Sequence, residues 1–133
     1  MIDVSDVEDD LMTAYPDTPI SWDVWKKYGE YVARKGMDRH IGRQLYSILT
    51  RAGLESVSIH PMPLFATAAD REALRSLVSV GSGILLSAKE GMISGGYTSE
   101  EEFDSAIEEL DQSTEDEGGF RMACSFLAVG KVP

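Results

Sequence analysis

The sequence predicts an α/β fold in which helices pack against a small sheet whose last strand is central. Three stretches carry this prediction. Residues 38–61 combine an amphipathic helix with a strand, residues 120–129 are apolar on both faces of a strand, and residues 2–4 show a very short apolar alternation. Because a strand that is apolar on both faces is normally covered on both faces, residues 120–129 should lie inside the sheet.

Residues 38–61 predict a helix that leads directly into an edge strand. One helical face collects Ile41, Leu45, Ile48, Leu49 and Ala52. Asp38 should cap the start of this helix, because its carboxylate accepts from free amide groups of the first turn, and Gly53 should end it. Val57 and Ile59 then alternate with polar residues, and the two prolines that follow restrict this strand to an edge.

Turn residues and helical spacing predict the elements on either side. Ile2 and Val4 end a truncated strand, and residues 13–21 form a loop because they contain two prolines. Ser21 should cap a helix that carries Trp22, Trp25, Tyr28, Gly29 and Val32 on one face.

Two more helices are predicted before the last strand. Residues 67–70 have a weak capping-box pattern and precede a helix through Ala73, Leu74, Leu77 and Val78. A glycine pair, Gly81 and Gly83, is expected to kink this helix. Residues 98–101 form a full capping box, followed by Phe103, Ala106, Ile107 and Leu110 on one face.

The composition limits the classes of function. A formal net charge of −11 in 133 residues lacks the basic face that phosphate groups require, so nucleic acid and anionic membranes are not expected partners. Cys124 is the only cysteine, which leaves no disulfide framework, and it is expected to be an inert buried thiol. With no apolar run long enough to span a bilayer, the sequence predicts a single cytoplasmic domain over residues 1–133.

Several segments share a pattern with one enzyme family. They are residues 2–10 (IDVSDVEDD), 38–45 (DRHIGRQL), 49–57 (LTRAGLESV), 90–94 (EGMIS) and 128–133 (AVGKVP). In this order they resemble the C-terminal portion of class I S-adenosylmethionine-dependent methyltransferases, especially the small-molecule enzymes of the ubiquinone and menaquinone type. The resemblance covers nearly the whole chain through the less specific motifs of that family.

The resemblance implies a partial Rossmann-like methyltransferase fold that contains the family's fifth, sixth and seventh strands. These strands would have the order 5-7-6 with the last strand antiparallel, together with about four helices and an open sheet edge at the N-terminal strand. The chain would be an incomplete C-terminal domain without the N-terminal half that binds S-adenosylmethionine. The cofactor is therefore expected only in a complex with a complementary half, and not on the isolated chain.

One segment superficially matches the family's glycine-rich cofactor turn. Residues 77–86 (LVSVGSGILL) contain Gly81 and Gly83, but Ser79 stands where the family has an acid and Leu85 where it has a third glycine. The preceding residues also have helical spacing. We therefore interpret this segment as a helix rather than a cofactor site.

The resemblance also suggests which residues would line an acceptor pocket. They are Tyr15 in the loop after the first strand, Trp22 and Trp25 on the aromatic helix, and His40 and Arg43 at the next helix start. The aromatic side chains fit either an apolar pocket wall or ordinary core packing. His40 is a candidate general base or a surface residue, and Arg43 a candidate partner for a substrate carboxylate or phenolate or a solvated helix residue. No cofactor-binding or metal-binding residue is predicted.

Three hypotheses about function remain open at this point. The chain is the acceptor-pocket-forming C-terminal subunit of a small-molecule methyltransferase, active only with a partner that supplies the cofactor half. Alternatively, it is a non-catalytic module that self-associates through its exposed sheet edge or regulates a complete methyltransferase. The third hypothesis is a truncated fragment. The substrate and the methylated atom do not follow from the fold.

Overall fold

A computed structural model describes all residues from 1 to 133 as an α/β fold with four α-helices and one four-stranded antiparallel sheet. The strands are β1 (Ile2–Val7), β2 (Thr13–Tyr15), β3 (Glu55–Thr67) and β4 (Phe120–Lys131). The helices are α1 (Pro19–Ala33), α2 (Leu45–Arg51), α3 (Arg71–Ser94) and α4 (Glu100–Ser113), with short 3-10 turns at Asp9–Leu11, Ile41–Gln44 and Ala68–Asp70. None of these helices has the length and apolar character needed to cross a membrane.

The last strand is the common partner of the other three strands. It pairs antiparallel with β1 from Ile2 opposite Gly130 to Val7 opposite Ser125, and it also pairs with β2 and β3. The central position of the last strand and the edge position of β3 are thus confirmed. The predicted burial of both faces is wrong, because among residues 120–131 only Ala128 and Gly130 are buried and the Cys124 thiol is half-buried.

The chain divides into two compact units, and both β3 and β4 contribute residues to each of them. The first unit comprises Met1–Met12, Asp38–Leu64 and Met122–Pro133. The second unit comprises Thr13–Met37 and Phe65–Arg121. Each unit has its own apolar core.

The core of the first unit forms where α2 covers one face of the sheet. Leu45, Leu49 and Ala128 are buried there, with Leu54, Val57, Ile59 and Phe126 packed around them. This burial follows the helical and strand periods of the sequence. Leu127, which points to the opposite face of β4, stays half-buried because α2 covers only one side.

The helix after Asp38 begins later than the sequence predicts. A 3-10 turn at Ile41–Gln44 precedes α2, and the Asp38 carboxylate accepts from the backbone N–H of His40 at 2.8 Å instead of from a helical amide. Gly53 follows the helix with a φ of +88°, the left-handed conformation that glycine adopts without a Cβ penalty, so its predicted role is confirmed.

The second unit is built mainly from α1, α3 and α4. Its buried core consists of Val24, Tyr28, Val32, Val78, Leu85, Ala88, Met92, Phe103, Ala106 and Leu110. The predicted loop at residues 13–21 is wrong in two places, since β2 lies within it and α1 already starts at Pro19. Proline is favoured at the first helical position, because the N–H that it lacks would have no partner there, and α1 therefore starts at Pro19. Ser21 consequently lies inside the helix and does not cap it.

The caps of α3 and α4 also differ from the predicted ones. Asp70 caps α3 by accepting from the N–H of Ala73, and this helix continues as one element through its glycine pair. At α4 the cap is Ser99, whose Oγ accepts from the N–H of Glu102 at 3.1 Å, so the predicted box at residues 98–101 is displaced by one residue. Both Thr98–Glu101 and Ser99–Glu102 have the spacing of a capping box, and the position of the helix start decides between them.

Candidate functional site

The candidate site residues fall into two groups, one in each compact unit. His40 and Arg43 belong to the first unit, whereas Tyr15, Trp22 and Trp25 belong to the second. Each group has its own surroundings and its own chemistry.

In the first unit His40 and Arg43 join Glu8 and Asp10 in a charged cluster. The Glu8 side chain is only 3% exposed, and its carboxylate accepts from the backbone N–H of Arg43 at 3.0 Å and from Arg43 Nε at 3.0 and 3.1 Å. Arg43 Nη2 donates to both carboxylates, and His40 Nε2 lies 2.9 Å from Asp10 Oδ1. Arg43 is therefore held by two acids rather than solvated freely.

The ion pairs shift the pKa values of this charged cluster. Hydrogen bonds from Arg43 lower the pKa of Glu8, although burial of the carboxylate opposes that effect. The same guanidinium lowers the pKa of Asp10, and both acids raise the pKa of Arg43. All three groups therefore stay charged at neutral pH.

The charged cluster also has the donor set of a small cation site. Glu8, Asp10 and His40 offer ligand atoms that all lie within 4.8 Å of one another. Two carboxylates and an imidazole suit several divalent metals. Arg43, however, already donates to both carboxylates, so a metal ion would have to displace a guanidinium from a buried partner. We assign no metal here.

In the first unit His40 lies beside a carboxylate. Its imidazole is about half exposed, and its contact with Asp10 fixes the orientation of the ring. Arg43 is less suited to the predicted role of binding a substrate anion, because its Nε and Nη2 already donate within the charged cluster.

In the second unit the three aromatic candidates have different environments. Trp25 packs against the core, with its ring 5.2 Å from that of Tyr28, as the core-packing alternative requires. Trp22 is half-buried and donates from Nε1 to Asp17 Oδ1 at 3.1 Å. Tyr15 lies at the end of β2 and is 63% exposed. Trp22 and Tyr15 thus retain accessible aromatic surface, and Trp25 retains little.

Two residues near Trp22 are absent from the sequence-based candidates. The Arg121 guanidinium lies over the Trp22 ring at 4.8 Å from its centroid, a cation–π arrangement. Glu109 accepts from the backbone N–H groups of Ile20 and Ser21, which stabilises the positive end of α1. Burial lowers the pKa of Arg121, and the charge of Glu109 opposes this shift. The one feature of the sequence that could have identified Arg121 is that it is the single charged residue in the strand FRMACSFLAV.

Comparisons with known proteins add no family assignment. No protein-family model matches the sequence, and no characterised protein matches it significantly.

Proposed function

We propose that this chain is the C-terminal, acceptor-pocket-forming portion of an S-adenosylmethionine-dependent methyltransferase that acts on a small molecule. Another polypeptide would supply the half that binds the cofactor. The observation that carries the proposal is the sheet order, in which β4 pairs antiparallel with β1 and also pairs with the edge strand β3. The pairing of β4 with β1 and β3 matches what the family resemblance implies for strands 5, 7 and 6, whereas β2, which also pairs with β4, has no counterpart in that three-strand order.

The free edge of β1 supports a partner strand at that position. The N–H of Glu8 donates to the carbonyl of Cys124, so even-numbered residues of β1 bond to β4 and odd-numbered ones face outward. The outward N–H of Val7 is taken by the Asp6 carboxylate at 2.8 Å. The backbone groups of Asp3 and Ser5 remain for a neighbouring strand.

The opposite edge of the sheet is less suited to strand pairing. Pro61 and Pro63 lie within β3, and a proline has no N–H to donate to a ladder. Natural proteins often place prolines on an edge strand to prevent further pairing. The two edges therefore favour a partner at β1, where no proline occurs and Ile2 and Val4 are 41% and 37% exposed.

Under this proposal each unit supplies candidate groups of its own. In the second unit Trp22 and Tyr15 provide aromatic surface that can hold an acceptor, and Trp25 supports it from the core. In the first unit His40, oriented by Asp10, is the candidate general base. Methyl transfer depends mainly on holding the acceptor in line with the sulfonium methyl group, so the pocket and the cofactor site can lie on different chains. Arg43 would act mainly by holding Glu8 and Asp10 in place.

S-adenosylmethionine would bind to the partner half. Gly81 and Gly83 lie inside the helix α3 and so do not form a glycine-rich turn between a strand and a helix, in which the backbone could approach a cofactor closely. A chain of this composition would work in the cytoplasm.

A non-catalytic interaction module is the second candidate, and the same free β1 edge favours it. Two copies could pair through β1, or the edge could bind a complete methyltransferase. The net charge of −11 on each copy opposes self-association, which makes a different partner the better choice.

Calorimetry and a methyl-transfer assay test the proposal. We expect no heat of binding when S-adenosylmethionine is titrated into the isolated chain, and methyl transfer only after co-expression with the adjacent reading frame. Cofactor binding by the isolated chain would contradict the split arrangement. A stable complex that transfers no methyl group to any small-molecule acceptor would favour the interaction module.

A further inference from the structure

The outer edge of β1 has a short open window in the first unit. Odd-numbered residues of β1 direct their backbone groups away from β4, and no strand pairs with the N–H and carbonyl groups of Asp3 and Ser5. The window closes at Val7, whose N–H bonds to the Asp6 carboxylate and whose carbonyl oxygen lies against Gly42 in the 3-10 turn before α2. Only the segment around residues 3–5 is therefore open to a further strand.

One face of this window is an uncovered margin of the apolar core. Ile2 and Val4 stand opposite Gly130 and Ala128, and Ala128 belongs to the core that α2 covers. Because cross-strand partners share a face, Ile2 and Val4 lie on the core side of the sheet. They nevertheless stay exposed, since β1 is the outermost strand. Asp3 lies between them in the strand and points to the opposite face.

The charged residues of β1 are acidic and have no counter-charge. The strand IDVSDV contains Asp3 and Asp6 and no basic residue. Both side chains are exposed, neither forms an ion pair, and Asp6 accepts only from the N–H of Val7. Glu8, directly after the strand, differs in being held by Arg43. The open window therefore presents unpaired negative charge beside exposed apolar side chains.

We propose that the open edge of β1 binds an extended segment of another polypeptide in which apolar residues alternate with lysine or arginine. The apolar residues would extend the core beyond Ile2 and Val4, and the cations would pair with Asp3 on the other face. Alternation is required because successive side chains of a strand point to opposite faces. A second copy of β1 offers no cation and is therefore a poor partner for this edge.

This inference names the chemistry of the partner strand, and it rests on the proposed function for the identity of the partner, the half that binds S-adenosylmethionine. Binding of such a segment needs neither the cofactor nor an acceptor. Its failure would remove the predicted partner strand and leave the methyl-transfer assay to decide the function separately. Binding in a protein pair that transfers no methyl group would retain the edge as an interaction site and remove the enzyme.

The test is a titration of the full-length chain with three capped seven-residue peptides, followed by amide exchange measured by NMR. VKVKVKV alternates valine with lysine, VVVVKKK has the same composition without alternation, and VEVEVEV alternates with the opposite charge. We expect VKVKVKV to bind about tenfold more tightly than either control, because only it satisfies both faces. Exchange of the N–H groups of Asp3 and Ser5 should slow in this complex, whereas Val4 and Asp6, which already bond to β4, should change little.

Three variants locate the effect. Asp3→Lys should weaken binding of VKVKVKV about tenfold, since it replaces a cross-strand attraction with a repulsion. The matched control is Glu55→Lys, which changes the net charge equally at an exposed acid of β3 in the same unit and should leave the affinity within about twofold. Ser5→Pro removes one outward N–H without removing a bond to β4 and should abolish binding. If Ser5→Pro does not fold, a peptide with methylated amide nitrogens blocks the same ladder and leaves the protein unchanged.

Three results would overturn the proposal. Equal affinities for VKVKVKV and VVVVKKK would show that general charge attraction is responsible and not a paired strand. Equal affinities for VKVKVKV and VEVEVEV would show that the acids of β1 select no partner. Unchanged exchange at Asp3 and Ser5 with about 1 mM VKVKVKV would show that no strand pairs with this edge.

Discussion

Replacing Gly42 with alanine should disturb the position of β1 specifically. Gly42 is buried in the 3-10 turn before α2, and an added Cβ would lie 2.9 Å from the carbonyl oxygen of Val7, 3.0 Å from Phe126 Cδ2 and 3.2 Å from Glu8 Cβ. The Val7 oxygen belongs to the backbone of β1 and cannot rotate away as a side chain would. Overpacking of this kind costs about 1–3 kcal/mol.

Hydrogen exchange of peptides from residues 1–12 measures the effect of Gly42→Ala where it should occur. Both tryptophans lie in the second unit, so their fluorescence does not report on β1. The expected cost corresponds to a loss of protection of roughly five- to 150-fold in β1. Unchanged protection of these peptides would refute the close contact between Gly42 and β1.

Gly83→Ala is the matched control for this change. Gly83 lies in α3, and an added Cβ there would meet no atom within 4 Å. Alanine is favoured over glycine inside a helix by about 0.5–1 kcal/mol, so this variant should be slightly more stable than the unmodified chain. Destabilisation by both variants would mean that the loss of glycine flexibility, and not the contact with Val7, is responsible.

Two further predictions concern pH and helix capping. Because the folded-state pKa values of Glu8 and Asp10 are lowered, these acids stabilise the fold above their ordinary pKa values of 4.5 and 3.8, and this contribution is lost as the pH falls through the lowered values. Hydrogen exchange of residues 1–12 should therefore lose protection on acidification, and Glu8→Gln should reduce that loss; an equal loss in both proteins would contradict this account. Ser99→Ala should destabilise the fold by about 1 kcal/mol in urea unfolding, because the cap of α4 is removed, whereas Thr98→Val, which removes the hydroxyl of the predicted cap and keeps the side-chain shape, should have a smaller effect. A larger loss of stability from the Thr98 variant than from Ser99→Ala would instead support the capping box at residues 98–101 that the sequence predicts.

Much of the sheet order could be predicted from hydrophobic periodicity. The apolar run at residues 120–129 indicated a central strand, and the prolines after Ile59 indicated an edge, because both features depend on local chain chemistry. The structure has the last strand in the centre and β3 at an edge. The burial of β4 could not be predicted, since it depends on which faces other elements cover.

The helix starts were predictable only approximately. Thr98 and Ser99 both have a glutamate three residues later, so the sequence pattern alone does not choose between them. Pro19 fits either a loop or a first helical turn, and the structure uses it in α1.

The site contacts were the least predictable part. Glu8 and Arg43 are 35 residues apart, and Ser21 and Glu109 are 88 residues apart, so no local pattern links the members of either pair. Arg121 could not be singled out from the sequence, because an arginine within a strand is common and only the structure shows that its Nη1 is buried without an acceptor.

Light scattering of the purified chain, alone and after co-expression with the adjacent reading frame, shows whether the free edge of β1 pairs with a strand of a different polypeptide. We expect a one-to-one complex with the co-expressed chain, together with methyl-transfer activity that the isolated chain lacks. A stable homodimer whose mass does not change on co-expression would contradict the split methyltransferase and would establish a self-associating module instead.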